Sequence, residues 1–124
     1  MRRDRDPCGA MATIYKICPA SLWRAAETAG VFHGSRLDLS DGFIHFSSAE
    51  QVAETAARHF AGAADLVLVA VDGATLGPLL RYEPSRGGAM FPHLYGPLDP
   101  KAAVWVKPLP LGPGGRHVFP GLLP

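Results

Sequence analysis

Apolar and polar positions change their spacing along the chain, and each change marks an element. Residues 14–17 are a short run of β-formers and read as a first strand. Over residues 19–29 the period lengthens, with Leu22, Ala25, Ala26 and Ala29 recurring at i, i+3, i+4 and i+7. That is the stripe of a helix, opened by Pro19 and closed by Gly30. Residues 31–41 show no period and read as a loop-rich crossover carrying Phe32, His33, Gly34, Ser35 and Asp38. Alternation returns at residues 43–47. Successive strand side chains face opposite ways, so Ile44 and Phe46 share one face and Phe43, His45 and Ser47 the other. Ser48 and Gln51 have the spacing of a capping box for a second helix. Its apolar face is Val52, Ala53, Ala56, Ala57 and Phe60, and Gly62 closes it.

The unbroken apolar run at residues 66–71 reads as a central strand buried on both faces. After an Asp72-Gly73 turn, residues 79–83 form another strand candidate and residues 84–89 a glycine-containing loop. Phe91-Pro92-His93-Leu94-Tyr95-Gly96-Pro97 reads as a loop bounded by proline and glycine, residues 102–107 as a late strand, and residues 116–119 as a final edge strand. Two helices followed by strands that pair at long range make an α+β fold.

Composition narrows the picture. With 48% hydrophobic and 19% charged residues the chain is globular, and 124 residues suffice for one core. Residues 13–124 are expected to form a single domain. Residues 1–12 are expected to be a disordered extension, because Met11-Ala12-Thr13 resembles a natural start. A net charge of +1 gives no electrostatic footprint, so no nucleic-acid partner is expected. No apolar run approaches the roughly 18 residues of a membrane span, so no membrane partner is expected either. Cys8 and Cys18 have no partners at metal-ligand spacing, which points to a reduced, cytoplasmic setting.

The candidate chemistry lies on two islands. On the first, Phe43, His45 and Ser47 set an aromatic ring, an imidazole and a hydroxyl in a row, which suits a small-molecule cleft. The plain alternative for His45 is a partly buried ring bonded to a backbone carbonyl. Ser47 is equally a helix-capping residue. On the second island His93 lies between aromatics, and Tyr95 either stacks on a ligand or packs in the core. Glu83 shares a strand face with Arg81, as a general base or as one half of an ion pair. The nearby Arg86-Gly87-Gly88 segment offers backbone amides to a phosphate but lacks P-loop spacing. Asp38 and Asp41 flank the His45 strand and can orient an imidazole, although an Asx turn is the preferred reading for Asp41. His33 and Ser35 lie beside the first island only in sequence. Trp23 and Trp105 read as packing residues. His33, His45, His93 and Asp38 contain no metal-ligand spacing, so no metal is expected.

Trp23, Gly30, Phe32-His33-Gly34-Ser35, Asp38, Asp41 to Ser47, Arg81-Tyr82-Glu83 and Phe91 to Gly96 together resemble the bacterial domain-of-unknown-function family 952. The resemblance implies a minimal ADP-ribosyltransferase-like fold, two small and mostly antiparallel sheets around an NAD-binding cleft. It places His45 and Ser47 on the strand whose histidine contacts the adenosine ribose. It gives an aromatic residue the nicotinamide to stack on, and Glu83 the role of orienting the acceptor or stabilising the ribosyl cation. The chain has no E-x-E or Gln-x-Glu pair. On this reading His45 and Glu83 are catalytic, and His33, Ser35, Asp38, Phe43, Ser47, His93 and Tyr95 bind the ligand. NAD or a related nucleotide is the substrate of ADP-ribosyl transfer or glycohydrolysis, and the protein is a monomer or weak homodimer. The rival readings are a non-catalytic small-molecule binding module and a protein-interaction module that uses an exposed 91–95 loop.

Overall fold

The computed structural model describes residues 13–122. The expected disordered extension at residues 1–12 falls outside them. Strand β1 (Thr13–Pro19) leads directly into α1 (Ala20–Ala29), and Gly30 closes that helix in the left-handed conformation with its N–H on the Ala26 carbonyl. Strand β3 (Leu66–Asp72) pairs antiparallel with β1 on one side and β6 (Ala103–Leu109) on the other. Its apolar run is therefore central, as its pattern requires. Val69 and Val71 enter one core, and Leu66, Leu68 and Ala70 enter the other.

The second sheet has the order β2 (Ile44–His45), β5 (Met90–Leu94), β4 (Leu80–Pro84), and all its pairings are antiparallel. Ile44, Phe46 and Leu94 turn inward onto Ile14, Cys18, Val69 and Val71 of the first sheet. An isolated bridge between Tyr15 and Ser47, with N–H···O distances of 2.8 and 2.9 Å, joins the two sheets. The far face of the first sheet is covered by α3 (Val52–His59) through Val52 and Ala56. The observed class is α+β, with two small antiparallel sheets and three α-helices among the described residues.

Several expectations are corrected. Residues 36–41 are not loop: Arg36–Asp41 forms α2, closed by left-handed Gly42. A six-residue helix is too short to show a hydrophobic period, and its Leu37 and Leu39 are exposed. The segment expected as a 91–97 loop is largely β5, the middle strand of its sheet. Pro92 forgoes one ladder donor there, but its carbonyl accepts from the Phe46 N–H at 3.0 Å. Of the expected α1 stripe only Ala26 is buried and Leu22 half-buried, while Ala25 and Ala29 are exposed; Trp23 turns inward instead, because the indole removes far more apolar area from water. Trp23 packs on Phe32 with ring centroids 5.3 Å apart. Helix α3 begins at Val52 rather than at a Ser48 cap, although Gln51 Oε1 does accept from the Ser48 N–H at 3.0 Å. Residues 116–119 form no strand; only an isolated Leu111–His117 bridge remains.

Candidate functional site

The register of the second sheet assembles the site. His45 lies directly opposite His93, and His93 lies opposite Arg81 on its other side. Opposed residues in an antiparallel ladder share a face. Phe43, two residues before His45, and Tyr95, two residues after His93, extend the same row. Phe43 stacks on His93 with centroids 4.1 Å apart and an interplanar angle of 27°. It also meets His45 at 4.6 Å and Tyr95 at 5.2 Å. The two imidazole rings meet edge-on at 5.6 Å.

A carboxylate holds each imidazole. Asp38 Oδ1 lies 2.6 Å from His45 Nδ1 and accepts the His45 backbone N–H at 3.0 Å. The same carboxylate faces Lys16 Nζ at 2.7 Å through Oδ2 and accepts the Ser35 N–H at 2.8 Å. Burial raises the Asp38 carboxyl, but the hydrogen bond from His45 and the Lys16 ammonium more than offset this and hold it well below the usual carboxylate range. Gly34 permits this packing. Its φ is +111°, and a Cβ there would lie 2.5 Å from Asp38 Cβ. On its other edge, His45 Nε2 lies 2.9 Å from Asp41 Oδ2. Asp41 is thus the last residue of α2 and a histidine partner, not a plain turn residue.

The second pair uses Glu83. Its Oε1 accepts from Tyr95 Oη at 2.7 Å and lies 2.8 Å from His93 Nδ1. The bonds from His93 and then Tyr95 lower the Glu83 carboxyl, and the bond to Glu83 raises the Tyr95 phenol. The Arg81 guanidinium sits 5.2 Å from the Tyr95 ring centroid.

A cleft of about 740 Å³ opens between β1 and α3 on one side and α2, β2 and β5 on the other. Its walls include Lys16, Ser35, Asp38, His45, Ser47 and His93, and Arg36 and His59 also border it. Ser47 Oγ lies 3.0 Å from Thr55 Oγ1, so this hydroxyl faces the α3 wall rather than capping the helix. Four expected site residues, His33, Phe43, Glu83 and Tyr95, lie outside the lining of this cleft. His33 is exposed and borders a smaller hollow with Phe43 and Gly96. Glu83 and Tyr95 flank the His93 ring and do not line the large cleft.

Lys16 was not anticipated as a site residue. It is nine-tenths buried on the strand face shared with Ile14 and Cys18, and its partner lies 22 residues away. The only sequence signal was a lysine inside an apolar strand. Cys18 beside it is buried, and that burial pushes its thiol up to about 11. Among the described residues no helix is long and apolar enough to cross a membrane.

The model of the family described as "Protein of unknown function (DUF952)" matches residues 17–106. The chain belongs to the DUF952 family. The motifs around His45 and His93 that suggested this family both lie inside the matched span. The crystal structure of protein CC0527 from Caulobacter crescentus is similar to this DUF952 chain, with 48% identity and a TM-score of 0.84. That match covers 86% of this chain and 94% of the other. The solution NMR structure of CC0527 matches with 50% identity and a TM-score of 0.78, covering 86% of this chain and 91% of the other. No curated protein matches the chain.

Proposed function

We propose that the large cleft binds a nucleotide-type small molecule, with NAD as the first candidate. The carrying observation is the His45–His93 cross-strand pair at the cleft wall, each ring held through Nδ1 by a carboxylate. Rings fixed in this way give the cleft a preorganised wall, which lowers the entropic cost of binding. The cleft volume of about 740 Å³ lies in the range of small-molecule sites. Arg36 on its border supplies a positive charge for a phosphate, and Phe91 supplies aromatic surface. Two small antiparallel sheets joined beside a cleft accord with a minimal ADP-ribosyltransferase-like fold, and we read the fold in that sense.

Binding is favoured over turnover by one feature. Asp38, Asp41 and Glu83 are each engaged with a lysine or histidine partner, so none is held in reserve to stabilise a ribosyl cation. In the second reading, NAD is cleaved at the ribosyl–nicotinamide bond. Water or an acceptor hydroxyl adds at the ribosyl carbon, nicotinamide leaves, and the nucleophile's proton passes to a cleft histidine.

Calorimetric titration of the chain with NAD, with free nicotinamide followed by chromatography, tests both readings. Saturable binding that is lost in His93→Ala, without nicotinamide release, is the expected result. Release by the wild type would establish the enzyme reading. No heat and no release would remove NAD as the ligand.

A further inference from the structure

The two histidines are not equivalent toward the cleft. Each nitrogen of His45 already has a carboxylate oxygen within 3 Å, Asp38 at Nδ1 and Asp41 at Nε2. Neither nitrogen is left over for a ligand. His93 commits only Nδ1, to Glu83, and among the described residues its Nε2 has no partner. The ring is 94% buried, borders the cleft, and is fixed on its face by Phe43. A buried polar atom without a protein partner is costly to leave unpaired, and at a cleft wall it is met by water or by a ligand that displaces it.

The hydrogen-bond polarity of that atom follows from Glu83. An ionised carboxylate only accepts, so the hydrogen shared with Glu83 Oε1 must sit on His93 Nδ1. In the neutral ring the lone pair is then on Nε2. Tyr95 donates to the same Oε1, which keeps that oxygen an acceptor.

We infer that His93 Nε2 is the hydrogen-bond acceptor this cleft offers to its ligand, that Glu83 is the positioning residue that makes it one, and that His45 is a positioning residue rather than a ligand contact. The matching ligand group is a donor, and on the nucleotide reading above, on which this assignment of a partner rests, that donor is a sugar hydroxyl. The sequence pattern favoured His45 for ligand contact; the geometry transfers that part to His93. It also gives Glu83 its place in the site without direct contact with the ligand.

Nitrogen-detected NMR of the histidine side chains in the full chain tests the inference at neutral pH, free and with NAD. The free protein is expected to show His93 protonated at Nδ1 and bare at Nε2. Glu83→Ala should populate both tautomers of His93 and weaken NAD binding roughly tenfold, the worth of one oriented hydrogen bond. Tyr95→Phe removes the other donor to Glu83 and should leave the tautomer as in the wild type, which separates orientation of His93 from general damage to the sheet. On adding NAD, the His93 Nε2 resonance should move as it accepts a hydrogen bond. A hydrogen on Nε2 in the free protein, or a tautomer indifferent to Glu83→Ala, overturns the inference whether or not NAD binds. A bare Nε2 in a protein that does not bind NAD supports the acceptor assignment and overturns the choice of ligand made above.

Discussion

The two histidine–carboxylate pairs are inverted in burial. At the α2 end of the cleft the Asp38 side chain is 1% exposed and its histidine, His45, is 29% exposed. At the β4 end the His93 ring is 6% exposed and its carboxylate, Glu83, is 33% exposed. A buried carboxylate must be matched by charge and hydrogen bonds, and Asp38 collects them from Lys16, Ser35 and His45. Such a group stitches β1, α2 and β2 together and belongs chiefly to the fold. A buried ring with an outer carboxylate is a different device, because solvent solvates the charge while the ring faces inward toward the cleft. The Asp38 end is thus expected to govern stability, and the Glu83 end to govern ligand contact.

The largest effect should come from breaking the Asp38 end. Asp38→Ala leaves the Lys16 ammonium buried without its counter-ion and should cost about 3–5 kcal/mol in urea unfolding. The double variant Lys16→Met with Asp38→Leu should recover much of that loss, because an apolar pair needs no charge compensation. Full loss in the double variant would show that the other Asp38 bonds, not the ion pair, carry the effect. Next in size, Gly34→Ala drives a methyl into Asp38 at a positive φ and should cost about 1–3 kcal/mol by the same measurement.

Acid should act mainly through Asp38 as well. Its carboxyl is lowered in the folded state, so its contribution to stability is present above the ordinary carboxyl value of about 3.9 and is lost as pH falls toward the folded value. The urea midpoint should decline below about pH 4 in the wild type. Asp38→Asn should show a flatter decline, and an equal slope would contradict the assignment. At the other end, Glu83→Ala should cost much less in the urea midpoint than Asp38→Ala while NAD affinity falls. A large loss of stability would erase the contrast between the two ends. Smallest of all, the Cys18 thiol, raised to about 11 by burial, should resist alkylation at pH 8 until the protein is unfolded, as peptide mass spectrometry would show.

The faces of the His45 strand were legible because a period of two separates Ile44 and Phe46 from Phe43 and His45, and one side is buried. The central strand was legible because only burial on both sides tolerates an unbroken apolar run such as residues 66–71. The ends of α1 were legible because Pro19 and Gly30 act locally. Helix α2 was not, since it lacks a buried apolar stripe and is fixed by Asp38, a polar anchor whose partners lie on other elements. Strand β5 was hidden by its own Pro92 and by flanking glycine and proline, which argue for loop until β2 and β4 pair on either side. The same pairing turns the 91–95 segment from an exposed anchor into a largely buried strand, in which Phe91 and Leu94 are buried and Tyr95 reaches the surface. The Lys16–Asp38 pair spans 22 residues and depends on the meeting of a strand and a short helix, so no local pattern announces it.

The central claim is that the cleft is a ligand site organised by His93. The most direct measurement is a backbone amide NMR titration of the labelled chain with NAD. The account predicts saturable shifts concentrated at His45, Ser47, Thr55 and His93, with the amides of Val104 and Val118 unmoved. Absence of shifts, or shifts centred away from the cleft, would contradict it.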